Sequence, residues 1–198
     1  MSGMKSEHGI DYARGLETID AESYEAVVAV LREELPFAWL ERYERMCEGA
    51  VNVLRMTVHG FDYLFDFCSE IGIVDREDRV VVAFGVSRAP EKPRPKSRMK
   101  GFPTDAERGD RGHLMAHGSG GGVDINLVHQ EARLNRGWSP EGKRYREMER
   151  FTAANPGTFF FSRPLYGDAT ARPVAFEIGI VRPDRTLWVE EFDNMAES

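Results

Sequence analysis

Seven consecutive residues, Val80-Val-Val-Ala-Phe-Gly-Val86, carry no polar side chain. A run of that kind, without alternation, reads as a buried strand, and its neighbours must cover it. The preceding sequence supplies a hairpin. Val51, Val53 and Met56 begin a strand, His59-Gly60 turns, and Phe61, Tyr63, Phe65 and Phe67 alternate along one aromatic face. Three further strands are predicted late in the chain, over Thr158–Arg163, Val174–Val181 and Thr186–Phe192, with Pro183-Asp184 joining the last two as a hairpin.

Helices flank these strands. Asp20-Ala-Glu-Ser23 opens one, with Asp20 as N-cap and Val27, Val28, Val30, Leu31 and Leu35 as its apolar side. Pro36 is expected to end or kink it, and a second stretch covers Ala38 to Cys47. Ser139 at an N-cap and Pro140 at the first helical position start another helix, which Asn155-Pro-Gly157 stops. Residues 88–109 read as loop, with four prolines, and Gly118-Ser-Gly-Gly-Gly122 as a flexible bend. Asn126 to Asn135 reads as a short helix. Nine residues is two and a half helical turns, so both asparagines reach one site only if the segment bends. The expected class is α+β, an antiparallel β-sheet with packed helices.

At 198 residues the chain fits one domain, or one domain with an appendage. Residues 1–78, a helix plus hairpin region, are either part of the fold of residues 79–198 or an addition to it. Cys47 and Cys68 match no zinc or redox spacing and read as buried thiols. The first fifteen residues lack the apolar run of a signal peptide, and no stretch is long enough to span a membrane. The cytoplasm is the default location, and export without a signal is the alternative.

The net charge is −7, yet it is unevenly spread. Residues 1–84 hold 8 Lys/Arg against 17 Asp/Glu, residues 85–150 hold 14 against 9, and residues 151–198 hold 4 against 7. The basic middle contains Asp110-Arg-Gly-His113, then Asn126 and Asn135 at intervals of thirteen and nine residues. Local field, not total charge, steers a polyanion to a site. Phosphodiester cleavage needs an activated water, in-line geometry, and stabilisation of the extra charge and of the leaving oxygen. A histidine titrates near neutrality and suits the base, arginines suit the phosphate, and a hard cation needs only an amide oxygen and waters.

The residues Asp110–His113, Gly121-Gly122, Asn126-Leu127, Gln130, Leu134-Asn135 and Trp138 resemble the pattern of the DNA/RNA non-specific endonucleases, a branch of the ββα-metal (His-Me finger) nucleases. The resemblance covers roughly Val80 to Phe192. It implies a ββα-metal motif in which His113 is the general base, Arg111 contacts the phosphate and Asn135 holds one magnesium ion, with manganese as the substitute. It implies that Asn126 supports the site by holding the histidine or its loop. Arg98, ahead of Phe102 and Asp105, resembles a second phosphate clamp, and Arg136 is placed with the substrate-binding group. Glu149 best matches a further glutamate of the family, with Glu141 and Glu147 competing. His129 departs from the pattern, where a proline is common. His129 and His117 are either bystanders or a proton donor near the leaving group. Lys92, Arg94, Lys96, Arg98 and Lys100 form either a backbone-tracking stripe or a solvated loop.

The expected activity is metal-dependent hydrolysis of DNA, RNA or both, with weak sequence preference because contacts go to phosphates. The alternative is a catalytically silent nuclease-like module that binds nucleic acid or a protein. A nuclease needs restraint in its host, so the expected partners include an inhibitor or immunity protein, in the context of an antibacterial toxin or of phage defence.

Overall fold

The computed structural model describes residues 9–90 and 109–195. It is mixed α+β. Six strands form one antiparallel sheet in the order β1-β2-β3-β6-β7-β8: β1 Val53–Val58, β2 Phe61–Asp66, β3 Arg79–Val86, β6 Phe159–Leu165, β7 Ala175–Val181 and β8 Leu187–Asp193. The long connection between β3 and β6 carries a separate two-stranded sheet, β4 Gly109–His113 with β5 Leu127–Glu131. It also carries the helices α3 Ala132–Arg136 and α4 Pro140–Ala154. Two helices precede β1: α1 Tyr12–Glu17 and α2 Tyr24–Cys47.

The apolar run of β3 is a central strand, buried at every position from Arg79 to Gly85. Its residues feed two cores, with the alternation broken by the register shift opposite Leu64 and Phe65. Val80 and Ala83 join one core with Phe160, Ile178 and Phe192, covered by Leu134 of α3 and by Tyr145 and Met148 of α4. Val81, Val82 and Phe84 join the other with Phe159 and Phe161, covered by Tyr12 of α1 and by Val27, Leu31, Trp39 and Tyr43 of α2. The run from Val80 to Val86 is therefore apolar because helices cover both sheet faces.

Several expectations need correction. Pro36 neither ends nor divides the first long helix, since α2 runs unbroken through it. Trp39 and Tyr43 extend the buried stripe begun by Val27, Val28 and Leu31 at helical spacing, so packing outweighs one missing backbone hydrogen bond. The N-cap is Ser23, whose side chain accepts from the Ala26 N–H, and not Asp20. Helix α1, capped by Asp11, was not expected; its Tyr12 turns inward and donates to Glu177. The aromatic hairpin face is interrupted: the β2–β3 register shifts between Leu64 and Phe65, and Phe67 falls beyond the strand.

The segment Asn126–Asn135 is not a helix. It is strand β5 followed directly by the short helix α3. Leu127 and Val128 are buried in that strand, and Glu131 starts the helix by accepting from the Leu134 N–H. Nor is Gly118–Gly122 a loose bend. A Cβ on Gly121 would lie 1.8 Å from the Met115 carbonyl oxygen, so the glycine permits close backbone packing.

Candidate active site

β4 and β5 pair antiparallel, with Asp110 opposite Gln130, Arg111 opposite His129 and His113 opposite Leu127. Strand alternation puts Arg111 and His113 on one face of β4, together with His129 of the neighbouring strand. His113 is buried and closes β4, and Arg111 is half-buried. The other face carries Asp110 and Gly112. Gly112 is required by crowding, because a Cβ there would sit 2.2 Å from Gln130 Oε1 and 2.7 Å from its Cβ. Gln130 itself is 1% exposed.

Helix α3 follows β5 without a linker and brings two side chains to Asp110. Asn135 Nδ2 donates to Asp110 Oδ2 at 2.8 Å. Arg136 donates through Nε and Nη2 to the two oxygens of the same carboxylate, each at 2.7 Å. The Arg136 fork, opposed by partial burial and reinforced by Asn135, holds the Asp110 carboxyl below its ordinary range. An ionised carboxylate only accepts hydrogen bonds, so Asn135 must present its NH₂ to Asp110. The amide oxygen of Asn135 is then the end left for a cation.

Asn126 acts on backbone. Its Oδ1 accepts from the Met115 N–H at 2.7 Å, and its Nδ2 donates to the carbonyls of Met115 and Gly122, each at 2.8 Å. The Leu114 N–H donates to the Asn126 carbonyl. A fully buried amide thus clamps the loop that leaves His113, which makes Asn126 a positioning residue.

Among the three glutamates, Glu141 accepts from the Asp193 N–H and ties α4 to β8. Glu147 is exposed. Glu149 lies on the inner side of α4, where it lines a small cavity with Leu114 and Ala116 and accepts from Arg146 Nη1 at 2.8 Å. It is the one that faces the segment following His113. His117 Nδ1 lies 3.2 Å from the Gly121 carbonyl, a contact within its own loop. Arg98, and with it the basic stripe from Lys92 to Lys100, lies outside the described residues.

The Arg136 guanidinium, expected with the substrate-binding group, is engaged by Asp110 and lies 4.6 Å over the ring of Trp138. Trp138 is 63% exposed. Sequence reasoning also missed Asn194. Its Oδ1 accepts from the Glu131 N–H, and its Nδ2 donates to the carbonyls of Pro173 and His129. This one buried amide fastens β5 to the end of β8, and nothing in its sequence context signals that.

Among the described residues no three or more His, Cys, Asp or Glu are grouped to hold a metal. A zinc-type ligand set is therefore missing there. Both Asp110 oxygens are occupied by Arg136 and Asn135, so the donor offered here is the neutral Asn135 amide oxygen, which fits a hard cation that keeps most of its waters. No helix among the described residues is long and apolar enough to cross a membrane. Comparison with protein-family models and with curated proteins finds no match to the chain.

Proposed function

We propose that the protein is a metal-dependent endonuclease that hydrolyses phosphodiester bonds of DNA, RNA or both without sequence preference. The observation that supports this reading is the fixed amide of Asn135. An ionised Asp110 turns its nitrogen inward and leaves its oxygen for a hard cation, in a strand–strand–helix unit whose β4 also carries Arg111 and His113, on the strand face opposite Asp110.

Asn135 Oδ1 would hold one magnesium ion, which supplies charge stabilisation at the phosphorane and the leaving oxygen. His113 takes the proton from the attacking water. Arg111, on the same strand face, binds a non-bridging phosphate oxygen. Asn126 holds the loop beyond His113, and the Asp110–Arg136 pair holds Asn135. Glu149, at the start of the cavity behind Leu114, supports the site from α4. The weak sequence preference follows from contacts to phosphate and none to base edges.

The test is incubation of the purified chain with supercoiled plasmid and with total RNA, in magnesium, in EDTA, and as His113→Ala. Magnesium-dependent degradation that falls in His113→Ala by roughly 10²–10⁴-fold supports the reading. Full activity in that variant refutes the base assignment. Retention of nucleic acid without cleavage in magnesium or manganese would favour a catalytically silent module instead.

A further inference from the structure

Of the three tryptophans, Trp39 is fully buried and Trp188 half-buried, whereas Trp138 is 63% exposed. The backbone beneath that exposed ring is firmly held. Gly137 closes α3 in the left-handed region at φ 71°, the Gly137 N–H donates to the Leu134 carbonyl, and the Trp138 N–H donates to the Arg133 carbonyl at 2.8 Å. Ser139 caps α4 directly afterwards by accepting from the Gly142 N–H. A Cβ on Gly142 would lie 2.4 Å from the Arg133 carbonyl oxygen, so the start of α4 sits tightly on the end of α3. Trp138 thus projects from a rigid turn between two packed helices, three residues after Asn135.

The side chain is anchored from one side. The Arg136 guanidinium lies 4.6 Å from the ring centroid, and Asp110 fixes that guanidinium through both carboxylate oxygens. With one face under Arg136, exposure as large as this comes from the opposite face and the ring edges. Asp110 also cancels the charge of Arg136, so the stacked pair presents a flat surface, which suits the face of a base better than a phosphate. Positive charge adjoins it. The side chains of Arg133, whose carbonyl accepts from Trp138, and of Lys143, whose N–H donates to the Ser139 carbonyl, are both exposed. The Cα of Trp138 lies at most about 11 Å from that of Asn135 along the chain. At roughly 3.4 Å per nucleotide of a strand, that is within about three nucleotides of a phosphate at Asn135.

We propose that Trp138 is a stacking platform for a nucleobase next to the scissile phosphate, and that it selects single-stranded nucleic acid. In a duplex each base is stacked on its neighbours, and its face is closed to a side chain. An unpaired base can lie on the free face of Trp138, with Arg136 behind the ring. Every base has a π-face, so the platform tolerates any sequence. The choice of strand as substrate rests on the endonuclease reading, whereas the stacking itself needs no metal.

The test is fluorescence anisotropy of the full chain in EDTA and low salt, with three labelled probes of equal length: a single-stranded oligothymidylate, its duplex with oligoadenylate, and an abasic oligodeoxynucleotide. Base–aromatic stacking predicts that Trp138→Ala weakens the oligothymidylate by roughly 5–150-fold and leaves the duplex and the abasic strand unchanged. Trp138→Phe, which keeps an aromatic face, should retain most of the affinity. Unchanged affinity for the oligothymidylate in Trp138→Ala overturns the proposal. So does an equal loss on all three probes, or a wild-type chain that does not bind the oligothymidylate, which would assign the ring to a protein partner. Cleavage in magnesium is read separately: Trp138-dependent binding without cleavage would sink the endonuclease reading and uphold the stacking site.

Discussion

The carboxylate of Asp110 accepts from the side-chain amide of Asn135 at 2.8 Å while the Arg136 guanidinium grips both of its oxygens. Three side chains, one from β4 and two from the helix that follows its partner strand β5, therefore act as one device. Charge on Asp110 decides which end of the Asn135 amide is offered outward. Asp110→Asn removes that decision, because a neutral amide can either donate or accept. Partners that orient a metal ligand are typically worth 10–100-fold in affinity or activity. We expect Asp110→Asn to raise the magnesium concentration for half-maximal cleavage by roughly 10–100-fold. Magnesium titration of plasmid cleavage measures it, and an unchanged midpoint would separate Asn135 orientation from Asp110.

The same pair sets an acid limit. The Arg136 hydrogen bonds lower the folded pKa of Asp110, against partial burial, and Asn135 adds to the lowering. A depressed carboxylate contributes stability above its unfolded value of about 3.9, and that contribution disappears as pH falls through the folded value. The stability difference between wild type and Asp110→Asn should be constant from about pH 5 to 7 and shrink as pH falls below about 3.9. Urea unfolding of both proteins at several pH values checks this. A difference that grows on acidification would contradict the assigned sign.

The legibility of the site from sequence divides along physical lines. The apolar run at β3 and the Ser139-Pro140 cap were readable because local patterning and final burial agree there. Pro36 misled because a local penalty was outweighed by the Trp39 and Tyr43 contacts, which belong to distant strands. Asn126–Asn135 misled because five residues of strand and five of helix each lie below the length at which either period shows. The order of Asp110, Arg111, His113, Asn126 and Asn135 pointed to one region, and Asn126 does hold the loop after His113. That Asp110 holds Asn135 and Arg136 was not legible, because it depends on the hairpin register and on where α3 packs, which are tertiary properties.

Asn126 offers a stability test as well as a functional one. Its amide satisfies one N–H and two carbonyls at a fully buried position. Asn126→Ala leaves those groups without partners, at about 1–3 kcal/mol for each desolvated group that water does not reach. We expect a net loss of about 2–4 kcal/mol in chemical denaturation, near the upper end for single substitutions. Asn126→Asp keeps the shape but sets a carboxylate oxygen against two carbonyls, so it should destabilise comparably. A loss below about 0.5 kcal/mol in both would mean that the loop does not depend on this clamp.

Gly112 and Gln130 provide the sharpest check on the hairpin itself. A methyl group at Gly112 would overlap Gln130 Oε1 at 2.2 Å and its Cβ at 2.7 Å. The far oxygen can rotate away, but the Cβ cannot move without the strand. Gly112→Ala should therefore destabilise by about 1–3 kcal/mol, the range for overpacking a filled site. Gln130→Ala removes the side chain beyond Cβ and with it the closer of the two overlaps. Residues in direct contact couple, so the double variant should recover part of the loss, with an interaction of about 0.5–3 kcal/mol. Urea unfolding of the two single variants and the double closes the cycle. Strict additivity would show that the Gln130 Cβ at 2.7 Å, which Gln130→Ala keeps, and not the far end of the side chain, sets the cost.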